Sequence, residues 1–175
     1  MSNVIPEKGI NFKVYLNGED LLGVAEGTIP ALESMTSEVK GAGVAGVIES
    51  PVIGHFNSTN FSLTWRTVTD NFVKLFDHTT NDLELFSAMQ QYDAGLGEYK
   101  AVPLHVYMKA ITKTRTLGNL VVGDVMDTQM EFEVVYMKIE LDGRERVELD
   151  KYNYKYVVDG VDQMASVRTA LGMGA

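Results

Sequence analysis

Met126-Asp127-Thr128-Gln129-Met130-Glu131-Phe132-Glu133-Val134-Val135-Tyr136-Met137-Lys138-Ile139-Glu140-Leu141 is the most regular stretch of the chain. Met126, Met130, Phe132, Val134 and Tyr136 fall on one side of a two-residue period, and Asp127, Gln129, Glu131 and Glu133 on the other. Successive strand side chains point to opposite faces, so this alternation predicts one long β-strand over 126–141. Its apolar face is the core side and its acidic face is the solvent side.

Working outward, Asp142-Gly143 is a tight-turn dipeptide that leads into a second strand segment, Glu145–Val158, rich in Val and Tyr. Upstream, Leu117-Gly118-Asn119 breaks the chain after Val102–Thr114, where Val106, Tyr107 and Ile111 favour a strand. Asp93-Ala94-Gly95 is a further turn, and Asp82–Tyr92 before it fits a helix or a strand equally well. Ser58–Val68 alternates again, with Thr59, Phe61, Leu63, Trp65 and Thr67 opposite Ser58, Asn60, Ser62, Thr64 and Arg66. Asp70 is placed to cap a short helix over 71–78 with Phe72, Val73 and Phe76 facing inward. Near the N-terminus, Ile10, Phe12, Val14 and Leu16 share a strand face, Asn17-Gly18 turns the chain, and Leu21–Ala25 can return as the partner strand.

Ile29–Lys40 is a weaker strand with Ser34, Thr36, Glu38 and Lys40 on one face. From 41 to about 56 the chain is rich in Gly and Ala and reads as a long mobile loop. Met164, Val167 and Leu171 sit at helical spacing in the C-terminal tail. With no linker or repeat in view, the expectation is a single domain over 1–175, mainly β, built as a two-sheet sandwich or partly closed barrel with one or two short flanking helices. Phe12, Val14, Leu63, Trp65, Phe132 and Val134 are its expected core.

Composition narrows the function classes. Hydrophobic residues make up 45% and charged residues 22%, which is the balance of an ordered globular protein. No apolar run approaches the roughly 18 residues of a membrane span. Met1–Lys8 lacks the basic start and apolar stretch of a secretory signal, so folding in the cytoplasm is expected. The chain has no cysteine, which removes disulfides, thiolate nucleophiles and cysteine-bound zinc together. A formal net charge of −9 opposes a sequence-independent grip on phosphates, and no specific nucleic-acid binding is expected.

Catalytic motifs fail on their surroundings. Gly41-x-Gly43-x-x-Gly46 matches a dinucleotide-binding fingerprint, but polar Thr36–Lys40 leads in and Val47-Ile48-Glu49-Ser50-Pro51 is a poor helix start. His55, His78 and His105 are dispersed, and no Gly-x-Ser-x-Gly elbow is present. Asp159-Gly160-Val161-Asp162 lacks the other ligands of a calcium loop. Glu131 and Glu133 have no aromatic sugar platform alternating with them. Nothing calls for a metal or cofactor, and an enzyme is not expected.

In collinear order, Val14-Tyr15-Leu16-Asn17-Gly18, Gly23-Val24-Ala25, Ile29-Pro30-Ala31-Leu32, Gly41-Ala42-Gly43 with Gly46, Leu63-Thr64-Trp65, Tyr136-Met137-Lys138-Ile139, Asp142-Gly143-Arg144, Leu149-Asp150 and the Asp159–Asp162 ending with Arg168 and Leu171-Gly172 resemble the tube protein of contractile phage tails and R-type bacteriocins. The resemblance implies six copies in a ring, rings stacked into a hollow tube, and strands shared in one inner barrel. It implies as partners the tail sheath, tape-measure, baseplate and tail-terminator proteins, with transiting DNA if the particle is a phage. It implies a lumen lined by the polar face that carries Asn60, Ser62, Thr64, Asp127, Gln129, Glu131 and Glu133, from which Lys40 and Arg66 depart in charge. The loop residues Gly41, Gly43, Val44, Gly46, Val47, Ile48 and Val52 would order against neighbouring subunits. The rival reading is a small-molecule-binding β-barrel whose cavity is lined by some of the nine methionines and sixteen aromatics.

Overall fold

Asn17-Gly18, Asp142-Gly143 and Asp159-Gly160 each take positive φ at both residues, the turn geometry that matches the twist of paired strands. The computed structural model describes residues 3–20 and 23–173; the start of the expected Leu21–Ala25 strand lies outside the described residues. In chain order the elements are β1 (Val4–Leu16), β2 (Glu19–Asp20), β3 (Val24–Thr28), β4 (Ser34–Val39), β5 (Ile48–Phe56), β6 (Asn60–Trp65), α1 (Asp70–Lys74), β7 (Thr80–Asp93), β8 (Glu98–Thr116), β9 (Thr128–Leu141), β10 (Arg144–Asp150), β11 (Lys155–Val158), β12 (Val161–Asp162) and α2 (Ala165–Ala170). The mainly β class with two short helices is as expected.

The strands form a ten-stranded antiparallel sheet in the order β12-β11-β10-β9-β8-β7-β1-β2, with β6 on β9 and β3 on β6, and a separate two-stranded sheet β4-β5. The large sheet is open and curls on itself. A Cβ placed on Gly27 in β3 would lie 3.4 Å from Leu63, 3.6 Å from Phe12 and 3.9 Å from Leu85, so β3 closes over β1 and β7 from across the core. Phe72 and Leu75 of the α1 segment plug this interior, with Phe72 edge-on to Trp65 at 5.2 Å. Val14, Leu63, Trp65, Phe132 and Val134 are buried there, and Phe12 packs half-buried against them. Because side chains fill the space inside the curl, the small-molecule-barrel reading is dropped.

The differences from expectation are differences of pairing. Asp82–Tyr92 is a strand, fixed by pairing along β8 from Thr80↔Ile111 to Asp93↔Glu98. The partner of β1 after Asn17-Gly18 is the short β2, while the segment from Val24 pairs with β6. Where a long loop over 41–56 is expected, Ile48–Phe56 is strand β5, paired with β4 through Ser34↔Phe56 and Val39↔Ile48, which leaves 40–47 as the connection. The single segment Glu145–Val158 splits into β10 and β11 because Asp150 Oδ1 accepts the N–H groups of Tyr152 (3.1 Å) and Asn153 (3.0 Å) and folds a turn. The helix cap is Thr69, whose hydroxyl accepts the Phe72 N–H at 3.2 Å, and Val73 faces solvent while Leu75 takes the core position. Val135 is bulged out of β9, since Ala110 pairs with Val134 and Lys109 with Tyr136. That extra residue moves Tyr136 off the core face and brings Met137 onto it.

Candidate functional surface

The face opposite the core is set by register. On β6 and β9, Asn60 pairs with Glu133, Ser62 with Glu131 and Thr64 with Gln129. Glu26 and Thr28 of β3 extend this polar row through Thr64 and Ser62, and Thr114 and Thr116 of β8 extend it through Glu131 and Gln129. The structure therefore brings Asn60, Ser62, Thr64, Gln129, Glu131 and Glu133 onto one outward surface. Asp127 lies at its rim with positive φ, 3.6 Å from the Arg66 guanidinium. Both side chains are well exposed, so their pairing contributes little to stability. Lys113 Nζ reaches across β9 to Asn60 Oδ1 at 3.1 Å.

The two central glutamates differ. Glu133 Oε1 accepts the Thr59 N–H (3.1 Å) and the Lys151 ammonium (3.0 Å), and its other oxygen accepts the Ser58 hydroxyl. Lys151 also donates to the Asn57 carbonyl at 3.2 Å, so Glu133 pins the chain leaving β5 to the turn after β10. Burial pushes the Glu133 carboxyl up, but the bonds from Ser58, Lys151 and Thr59 together with the Lys151 charge outweigh it and hold the group below its ordinary value of 4.5. Glu131 makes no ion pair among the described residues. Sequence alternation gave the two acids the same standing; it could not anticipate Lys151, which is distant in sequence.

A depressed carboxylate stabilises the fold above its unfolded value and loses that contribution as pH falls through the folded value. Glu133→Gln is therefore expected to cost roughly 1–3 kcal/mol near neutrality. In melts taken from pH 7 down to pH 3, the gap from the wild type should close below about pH 4.5. A gap that is constant across that range would show that the charge contributes nothing.

On the β7-β8-β9 side of the same sheet, His105 lies between Glu84 (Nε2 to Oε2, 3.3 Å) and Glu140 (Nδ1 to Oε2, 3.5 Å), stacked on Phe86 at 4.1 Å. Lys138 meets Glu140 at 2.8 Å, and that hydrogen bond draws the Glu140 carboxyl below its ordinary value. Register alone aligns Phe86, His105 and Glu140. Gly41, Gly43 and Gly46 lie in the β4-β5 connection, and a strand follows at Ile48, so no helix N-terminus is available to a pyrophosphate.

The molecule is an open, curled antiparallel β-sheet with a polar outward face and a separate two-stranded hairpin that exposes apolar side chains. The chain belongs to the family described as phage tail tube protein FII, whose model matches residues 6–172. Among curated proteins it is similar to the tail tube protein of Escherichia phage P2, at 27% identity over 176 residues covering 97% of this chain and 99% of that one. Among solved structures it shares its fold with a chain of the PVC sheath-tube complex of an extracellular contractile injection system in the extended state (15% identity, TM-score 0.51, 78% of this chain and 90% of that chain). A chain from the PVC sheath/tube terminator, also in the extended state, is similar at 13% identity and TM-score 0.51, over 75% of this chain and 94% of that one. The protein is a structural tail tube protein.

Proposed function

We propose that copies of this chain close into hexameric rings, that the rings stack into a hollow conduit inside a contractile sheath, and that the Asn60–Thr64 and Asp127–Glu133 faces line the lumen. The observation that carries the reading is the β4-β5 hairpin. It is a two-stranded sheet that leaves Met35, Val39, Val47, Ile48, Val52 and Ile53 exposed. An isolated pair of strands is marginal in water and an unpaired edge invites another chain, so neighbouring copies complete it. On this reading Gly41, Gly43, Val44 and Gly46 at the hairpin tip order in the assembly. A rotation that closes such unlike contacts makes a ring.

Lumen acids repeated around each ring and along the stack would add their fields and keep a like-charged cargo from adhering. In a phage that cargo is DNA during ejection; in a bacteriocin the tube punctures a membrane and passes ions and water. Sheath, tape-measure, baseplate and terminator proteins are the proposed partners, with assembly in the bacterial cytoplasm before the particle is released.

Negative-stain microscopy and sedimentation of the purified chain test the assembly, with rings or tubes expected. A protein that stays monomeric at high concentration and is absent from tail-like particles would sink it. Glu131→Lys tests the lumen, because Glu131 is free of the Glu133 clamp. Tubes should form at normal yield while DNA ejection or killing slows. Unchanged delivery, or loss of folding, would place this face elsewhere.

A further inference from the structure

Within the 117–127 connection from β8 to β9, residues 117–126 carry Leu117, Leu120, Val121, Val122 and Val125 with large exposed surfaces; Leu120 is 87% exposed and Val122 fully so. Turn tips ordinarily carry polar residues, so an apolar run here is surface held for a contact. The loop is built. Met126 N–H donates to the Arg66 carbonyl at 2.8 Å, Asn119 N–H to the Met126 carbonyl at 3.0 Å, and Asp124 N–H to the Val121 carbonyl at 3.3 Å. Gly123 takes the positive φ that the last of these turns requires.

Its position relative to the hairpin matters. β3 and β6 are antiparallel, and the chain leaves β3 into the hairpin and re-enters β6 at the Asn60 end. The 117–126 loop enters β9 at Thr128, which pairs with Trp65 at the opposite end of β6. A six-residue strand spans about 20 Å, so one element leaves the molecule at each end of β6. A head-to-tail contact between identical chains requires two different complementary patches, which these provide.

The geometry points to the 117–126 loop as the axial receptor for the β4-β5 hairpin of the next copy along the tube. This rests on the tube reading above, and its partner is a second copy of this chain. The native chain has no cysteine, so labelling is clean. Val47→Cys and Val122→Cys are combined in one chain, assembled, and treated with a short bis-maleimide. The expected result is a ladder of covalent multimers on a denaturing gel, with no ladder from either single variant. Val122→Asp should melt like the wild type, because the side chain is fully exposed, yet lose tubes at least tenfold. Tubes of the double-cysteine chain that give no ladder, or Val122→Asp tubes at normal yield, overturn the inference and leave the tube reading standing. Val122→Asp tubes that form normally but fail to join a complete particle also overturn it, assigning the loop to another tail protein. A wild-type chain that makes no tubes overturns the tube reading itself and this inference with it.

Discussion

Trp65→Ala and Phe132→Ala are each expected to lower the stability of the folded subunit by roughly 3–5 kcal/mol, the cost of deleting a large aromatic from a packed core. Both side chains are fully buried, and they come from adjacent strands that pair through Trp65↔Thr128 and Phe61↔Phe132. Trp65 supports more than its own strand, since its ring is the surface on which Phe72 of α1 rests. Its indole Nε1 is buried without a hydrogen-bond acceptor among the described residues, and Trp65→Phe keeps most of the ring's buried area, so it should cost clearly less than the alanine change. Denaturant melts of the unassembled chain provide the measurement. Wild-type midpoints in both alanine variants would mean that the core and solvent faces have been reversed.

Gly118→Ala should be the most damaging substitution of a small residue. Gly118 has φ of +81°, and a Cβ there would lie 1.9 Å from the Met126 carbonyl oxygen. That oxygen is backbone and is already held by the Asn119 N–H, so it cannot swing aside as a side chain would. The left-handed conformation alone costs about 1–2 kcal/mol, and the clash brings the total to at least about 3 kcal/mol or unhooks the 117–126 loop. Gly123→Ala is the control. It shares the positive φ, but nothing among the described residues lies within 4 Å of the added carbon, so only the conformational cost of about 1–2 kcal/mol applies. Equal melting temperatures for the two variants would show that the Gly118 contact is relieved without cost.

Much of the fold is legible locally. The alternation of Met130, Phe132 and Val134 against Gln129, Glu131 and Glu133 is a property of consecutive residues, and so is the turn chemistry of Asn17-Gly18 and Asp142-Gly143. Those signals give the β class, the core members Leu63, Trp65 and Phe132, and the shared outward face of Ser62, Thr64 and Glu131. Alternation stops being a guide where β9 changes partner. β6 pairs with its first half and β10 with its second, and Val135 is bulged at the junction, so Tyr136 leaves the face that a strict period assigns to it.

What only the tertiary structure decided is which segments meet. The sequence by itself determined that this chain is strand-built, lacks thiol chemistry and has one acidic strand face. Local composition made 48–56 resemble a loop, because Gly54 and Pro51 weaken a strand and the pairing with Ser34–Val39 that makes it one is supplied from outside the segment. Gly54 itself is explained only in three dimensions: its φ is +65°, and a Cβ would fall 1.9 Å from the buried Met164 sulfur, so the C-terminal segment packs where a side chain would stand. Likewise Glu131 and Glu133 are equivalent in sequence, and Lys151, Ser58 and Thr59 make one of them a clamp and leave the other free. The physical reason is the same in each case. Side-chain direction along a strand follows from the backbone of neighbouring residues, whereas register, bulges and ion pairs depend on groups that chain folding brings together from far apart.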